Sequence, residues 1–314
     1  MTMKTIILGL YAACILFVHF RGKARLPFFR QIFDHSSVVS PINIFIYLFS
    51  KVSTKQAYIP VTEFKGLKLL EDNWQVMRDE ALALNKLEKI KAAEKNDDAG
   101  FNSFFKKGWK RFYLKWYEAK HPSALQFCPK TVALLAQVPE IKAAMFAELP
   151  PGAKLNPHRD PYAGSLRYHL GLSTPNDDRA FIDVNQQPYS WRDGEGVIFD
   201  ETYIHWAINQ TEQTRIILLC DVERPMKYRW ATAINRWLAK VVMSAGSSPN
   251  ETGDQTGGIN KIFRFFWLVG KYRRKLKQFS RPLYLAIKLG LVFGFIVWLI
   301  GADHLLRLIH WLAT

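Results

Sequence analysis

Apolar residues recur three or four apart between 67 and 91, where Leu67, Leu70, Trp74, Met77, Ala81, Leu84, Leu87 and Ile90 fall among Lys and Glu. That is the period of a helix with one buried stripe, and it predicts core packing rather than a cofactor face. Residues 131–147 are expected to contain a further helix. From 146 to 222 the pattern changes to short apolar runs cut by Pro, Gly, Asn and Asp, which predicts the short strands of a jelly roll. Residues 40–49 form an apolar stretch too short to span a membrane. They predict an interfacial or substrate-facing element, with a buried core helix as the competing reading. Residues 244–260, rich in Gly, Ser, Asn and Thr, predict a flexible linker, and the glycosylation-like triplet at Asn250 is coincidental in a cytoplasmic loop.

Both ends are apolar. Residues 5–20 carry no charge and are followed by Arg21, Lys23 and Arg25, while residues 283–302 carry one charge, Lys288. Each is close to the length that crosses a bilayer, and a cleaved signal peptide is the competing reading for the first. Bases follow the first stretch and precede the second, so the charge bias places the intervening body on the cytoplasmic side. The formal net charge is +16, and residues 261–288 hold nine Lys/Arg and no acid, interleaved with Phe263, Phe265, Phe266, Trp267, Tyr272 and Phe279. Such a segment can stack on nucleotides, but an apolar stretch follows it directly, which favours anionic headgroups over nucleic acid. Cys14, Cys128 and Cys220 have no paired spacing, which fits a reducing compartment and neither a disulfide framework nor a zinc site.

The chemistry concentrates in the strand region. His158 and Asp160 stand two apart between Pro157 and Pro161. On an extended backbone their side chains leave from one face, and both prolines favour that geometry. Two histidines and a carboxylate can occupy one face of an octahedral metal and leave the other open, the arrangement of non-haem Fe(II) oxygenases. His205, at a strand junction after the run from Val197 to Asp200, is the candidate third ligand. Arg215 opens the apolar run Ile216 to Val222. A buried arginine there needs an anion, and the distal carboxylate of 2-oxoglutarate matches a guanidinium in two-pronged geometry. Asp200 and Asp221 follow apolar strand runs and predict structural turn groups or groups that orient metal-bound histidines, with metal ligation as the competing reading. His19, His35, His304 and His310 lie near expected membrane edges, and His121 lies in a loop before Pro122.

From about 58 to 225 the chain resembles the aspartyl/asparaginyl β-hydroxylase family of Fe(II)/2-oxoglutarate dioxygenases, and within it the bacterial branch that hydroxylates a secondary acyl chain of lipid A. The resemblance rests on Cys128-Pro129-Lys130-Thr131, Pro151-Gly152, Pro157-His158, the run from Leu166 to Leu170, Phe199-Asp200, His205, Arg215 and the run from Asp221 to Pro225, in the family's order and approximate spacing. It implies iron at His158 and His205, with Asp160 completing three ligands. It further implies that Arg215 holds the distal carboxylate of 2-oxoglutarate, and that Arg167 and His169 touch the cosubstrate near the metal; His169 as a rival iron ligand is the competing reading. Two departures matter: Asp160 stands where the eukaryotic peptide-hydroxylating member has no carboxylate ligand, and Ala147 replaces a small hydroxyl residue.

The expected fold is α+β, a double-stranded β-helix (jelly-roll, cupin-like) core with flanking helices and terminal transmembrane helices. The expected order is a transmembrane helix over 1–20, a membrane-proximal segment over 21–57, the dioxygenase domain over 58–232, a helix and linker over 233–260, a basic aromatic juxtamembrane segment over 261–282, and a second transmembrane helix with its tail over 283–314. The cofactors implied are Fe(II), 2-oxoglutarate and O2, with ascorbate as a reductant. The implied substrate is lipid A or another anionic lipid, met at the cytoplasmic face of a bacterial inner membrane, with no nucleic-acid partner. A protein Asp or Asn side chain is the alternative substrate, and a tethered jelly roll that binds an acidic ligand without turnover is the alternative of another class.

Overall fold

Residues 3–93, 98 and 100–300 are described by a computed structural model. Among the described residues ten strands form in chain order: β1 (Tyr58–Ile59), β2 (Lys110–Trp116), β3 (Ile141–Leu149), β4 (Lys154–His158), β5 (Ser165–Ser173), β6 (Ala180–Val184), β7 (Gln187–Ser190), β8 (Gly196–Phe199), β9 (His205–Asn209) and β10 (Arg215–Glu223). They make a six-stranded sheet in the order β1-β8-β5-β10-β3-β2 and a four-stranded sheet in the order β4-β9-β6-β7. Every strand pair is antiparallel. From β3 to β10 the chain passes back and forth between the sheets, which is the double-stranded β-helix expected from the sequence.

Strand alternation explains the continuous apolar run of β10. Ile217 and Leu219 face inward with Met145, Ala147, Ile182 and Phe199, between the two sheets. Leu218 and Cys220 face the other way, into a second cluster with Leu67, Leu70, Met77, Ala81 and Leu84. The helical stripe therefore covers the outer face of the large sheet. It is divided between Lys68–Asp72 and Trp74–Lys86, and Leu87 is exposed beyond the helix end while Ile90 is buried. The helix expected over 131–147 is Pro129–Ala136, and β3 begins at Ile141, so the strand region starts earlier than the pattern of breaks indicates. β2, which pairs with β3, was not anticipated.

Contacts divide the chain into Cys14–Phe263 and a second unit of Met1–Ala13 with Arg264–Thr314. Helices run over Met3–Phe20, Gly258–Phe279 and Arg281–Ile300. Among the described residues one helix, Met3–Phe20, is long and apolar enough to cross a membrane. The end of the second expected span, the tail with His304 and His310, and the structure of 301–314 lie outside the described residues.

Three expectations are corrected in the first unit. Arg21, expected among free juxtamembrane bases, is buried: its Nη2 lies 2.6 Å from Asp200 Oδ2, and its guanidinium carbon lies 4.2 and 3.9 Å from the Tyr47 and Tyr203 ring centres. A charge taken from water needs such a partner, so Arg21 pins residues 21–57 to the domain. His19, expected at an interface, is buried against Phe28, and His35 Nε2 lies 2.9 Å from the Arg159 carbonyl. The helix Ser40–Phe49 packs its inner side: Ile46 is fully buried, and Asn43 donates to the Pro161 carbonyl and accepts from the Ala163 amide.

The third correction concerns residues 244–260, which are packed rather than flexible. Asn250 accepts from the Tyr113 amide at 2.7 Å and donates to the Tyr113 carbonyl at 2.8 Å, serving the edge of β2 as a further strand would. Arg111 donates to Ser248, Ser123 donates to Asp254, and buried His121 lies 3.0 Å from the Ser248 carbonyl.

Candidate active site

β4 ends at His158 and β9 begins at His205, and the two residues are cross-strand partners at one end of the small sheet. Their ring centres lie 4.2 Å apart. Asp160 follows just past β4, where its amide donates to the Glu201 carbonyl at 2.9 Å. One ligand atom from each of His158, Asp160 and His205 lies within 4.8 Å of the others. The three residues singled out from the sequence are thus brought together, in a two-histidine, one-carboxylate set that suits a divalent iron.

The hydrogen bonds decide which nitrogen each histidine offers. His158 Nδ1 lies 2.8 Å from the Asn156 carbonyl and His205 Nδ1 lies 2.9 Å from the Tyr203 carbonyl. A carbonyl only accepts, so each Nδ1 carries its proton and each Nε2 keeps a lone pair for a metal. Burial, with His158 beside it, pulls His205 down to about 3, and burial also lowers His158. Both rings are therefore neutral at physiological pH, the form that ligates. The orienting partners are backbone carbonyls, not Asp200 and Asp221. Asp200 accepts from Arg21 and Arg224, and Asp221 accepts from Tyr117 and lies 3.1 Å from Arg167 Nη1.

Arg167 faces the same cavity from β5 but is committed to carboxylates. Its Nη2 donates to Asp160 Oδ2 at 2.6 Å and its Nε donates to Glu201 Oε2 at 2.6 Å. Burial works against ionising Asp160, yet Arg167, His205 and His158 together hold its carboxyl below the usual carboxylate range. Burial pushes Glu201 well up and raises Asp221, which absorbs the excess of three carboxylates over one guanidinium. Glu201 was missed by sequence reasoning. Its signal was slight: an acid four residues before His205, beside an Asp that drew the attention.

Arg215 differs. It is 2% exposed, and its guanidinium carbon sits 4.3 Å from the Trp191 ring centre. Its Nε has no hydrogen-bond partner, and no ion pair joins it to the described residues. Burial pulls it down to about 9, against which only Glu148 acts. Trp191 Nε1 also donates to His169 Nδ1 at 3.4 Å, and burial, then Arg215 and Arg167, keep His169 well below its ordinary value. Arg215, His169, Arg167 and Trp191 line one cavity with the three candidate ligands. Ala147 is fully buried in β3 opposite Ile217.

A double-stranded β-helix that carries two histidines and a carboxylate at one sheet end, with a buried arginine on a strand beside them, defines a cupin-like fold with a candidate metal centre. Residues 71–225 match the family model described as Aspartyl/Asparaginyl beta-hydroxylase, so this segment is similar to that hydroxylase family. The chain is 40% identical over 120 residues to an ornithine lipid ester-linked acyl 2-hydroxylase of Rhizobium tropici, covering 38% of this chain and 43% of that one. It is 30% identical over 164 residues to the aspartyl/asparaginyl beta-hydroxylase of Homo sapiens, covering 51% of this chain and 21% of that one. It therefore spans less than half the length of these relatives. Among solved structures it is similar to a Pseudomonas putida prolyl-4-hydroxylase, at 16% identity and a TM-score of 0.32 over 49% of this chain and 88% of that one.

Proposed function

We propose that the protein is a membrane-anchored Fe(II)/2-oxoglutarate-dependent dioxygenase that hydroxylates an acyl chain of a lipid, with a secondary acyl chain of lipid A as its substrate. The observation that carries the cosubstrate is Arg215, a buried cation with no ion pair to the described residues, in a cavity shared with His158, Asp160 and His205. A dicarboxylate that reaches from the metal to this guanidinium supplies the missing anion. The donor set fits iron: two neutral imidazoles with free Nε2 lone pairs and one ionised carboxylate.

When bound, iron and 2-oxoglutarate supply an oxidant that places one oxygen of O2 in an unactivated C–H bond, as the cosubstrate becomes succinate and carbon dioxide. The chain's own residues prepare the place for it. The Asn156 and Tyr203 carbonyls fix the ring tautomers, Arg167 holds Asp160 ionised and aimed, and Arg215 receives the distal carboxylate. Phe104, whose ring centre lies 4.7 Å from that of His158, and Phe199, 5.6 Å from His205, keep water from the ligands. Ascorbate fits as the reductant that restores iron after unproductive turnover.

The apolar helix Met3–Phe20 and the lipid named for the R. tropici relative support a lipid substrate at a membrane, and the bases Lys23 and Arg25 after that helix support a catalytic domain at the cytoplasmic face of a bacterial inner membrane. The relative's name also favours a second reading, in which an ornithine lipid is the substrate. Mass spectra of lipid A and of total polar lipid from cells expressing the wild type or His158→Ala separate these. A lipid A species one oxygen heavier in wild-type cells alone is expected. The same shift on ornithine lipid alone moves the substrate to the second reading. No shift in either lipid, with the protein in the membrane and iron present, sinks the lipid proposal and favours a protein side chain.

A further inference from the structure

A second cavity meets the first at the metal ligands. It shares His158, Asp160, Arg167, Phe101 and Phe104 with the cavity of Arg215, then runs away from it past Tyr113 and Trp116 to Val242, Met243, Gly246 and Ile259. Its far wall is built rather than draped. Trp116 Nε1 donates to the Met243 carbonyl at 2.7 Å, and Asn260 Nδ2 donates to the Gly246 and Ser247 carbonyls at 2.8 and 2.7 Å. Met243 closes a single π-helical turn, Ala239–Met243, that continues the helix Arg229–Leu238. Such turns displace a backbone to shape a site.

The chemistry of the two ends differs. Toward Val242 and Ile259 the lining is apolar, and the neighbouring helix and turn expose Trp230, Ile234, Trp237 and Val241. A patch of this kind, on a helix that also carries Arg229 and Arg236, suits a membrane surface. On the other side the lining includes Arg159, between the two metal ligands in sequence. Arg159 is 2% exposed; its Nη1 donates to the Val18 carbonyl, while Nε and Nη2 have no partner. A buried guanidinium with free N–H groups asks for oxygen acceptors.

We infer that this groove is the acyl-chain channel: the lipid's tail lies between Phe104 and the Val242–Gly246 turn, its oxygen-bearing head meets Arg159, and the carbon nearest the head passes His158 and Asp160. The turn then sets the chain length the enzyme accepts. This inference rests on the proposed lipid hydroxylase and adds where the chain lies. The stretch lined by Phe101, Phe104, Val242, Met243 and Ile259 favours an acyl chain over a peptide backbone, whose N–H and C=O groups would find few partners there.

Gly246 provides the test. A Cβ built there meets nothing nearer than the Trp116 ring at 3.9 Å, an ordinary contact, so a larger side chain is tolerated by the backbone and fills the groove. The full-length chain in lipid vesicles, with Fe(II), 2-oxoglutarate and O2, is given short- and long-chain forms of the unhydroxylated substrate lipid. Gly246→Leu is expected to lower product from the long chain about tenfold more than product from the short one, the scale of a methylene misfit in an apolar pocket. Independently, a lipid with a diazirine near the tail end, photolysed on the wild-type protein, is expected to label the peptides carrying Phe104 and Met243. If the wild type hydroxylates lipid but Gly246→Leu keeps its chain-length profile, or the label falls only on Trp230 and Trp237, the groove assignment is overturned and the lipid hydroxylase stands. If the wild type hydroxylates no lipid, both fall.

Discussion

Two buried arginines face one cavity from neighbouring strands, and they are treated in opposite ways. Arg167 on β5 meets Asp160, Glu201 and Asp221, whereas Arg215 on β10 meets an aromatic ring and, among the described residues, no carboxylate within ion-pair distance. A buried charge without a partner is destabilising, so a fold that keeps one is prepared for a partner from outside. A buried charge surrounded by carboxylates is scaffold. On the proposed function, the difference separates the groups that shape the candidate metal site from the group that would receive the cosubstrate, although both are arginines that the sequence places on apolar strands.

The comparison breaks most visibly at Arg167. Arg167→Met leaves Asp160, Glu201 and Asp221 without their shared cation, so we expect a loss of ~4 kcal/mol of stability in a denaturant melt and weaker iron binding as Asp160 loses its aim. A variant as stable as wild type and with unchanged iron affinity would mean that Arg167 is not the scaffold.

A third cluster sharpens the comparison, because there two arginines share one carboxylate. Arg21→Met, with Arg224 still on Asp200, is expected to lose ~2 kcal/mol, the scale of a charge-assisted hydrogen bond. The acid limb of stability carries the same signature. Burial opposes ionising Asp200, but Arg21 and Arg224 override it and hold its carboxyl below the ordinary value near 3.8. Its contribution is whole above that value and fades as pH falls below it toward the folded-state value. In melts from pH 5 to pH 2, the drop should be smaller for Asp200→Asn than for wild type.

The smallest effect is expected at Arg215 itself. Arg215→Met removes an unpaired buried cation, so stability should be unchanged or raised by ~1 kcal/mol. A loss as large as that of Arg167→Met would reveal an internal partner and erase the contrast.

What the sequence made legible follows the same division. His158, Asp160 and His205 were readable because a metal demands residue types at short spacing and strand ends, and β10 was readable because its apolar residues face two covered layers. The partners of Asp200, Asp221 and Arg167 were not. They depend on the register of strands far apart in the chain, such as Asp221 opposite Arg167, and residue type alone carries no register. Residues 244–260 misled for a related reason. Ser, Asn and Asp satisfy a backbone as readily as water does, so composition could not distinguish a linker from the segment that Asn250 fastens to β2. Arg21 looked like a juxtamembrane base because its acceptor, Asp200, lies on the far side of the sequence.

The most direct measurement is a calorimetric titration of 2-oxoglutarate into the Fe(II)-loaded, full-length protein without oxygen, wild type beside Arg215→Met. The account predicts binding by wild type and an affinity about 100-fold lower in the variant, the loss of a two-pronged charge-assisted contact. Equal affinities, or no binding by the wild type, would contradict it.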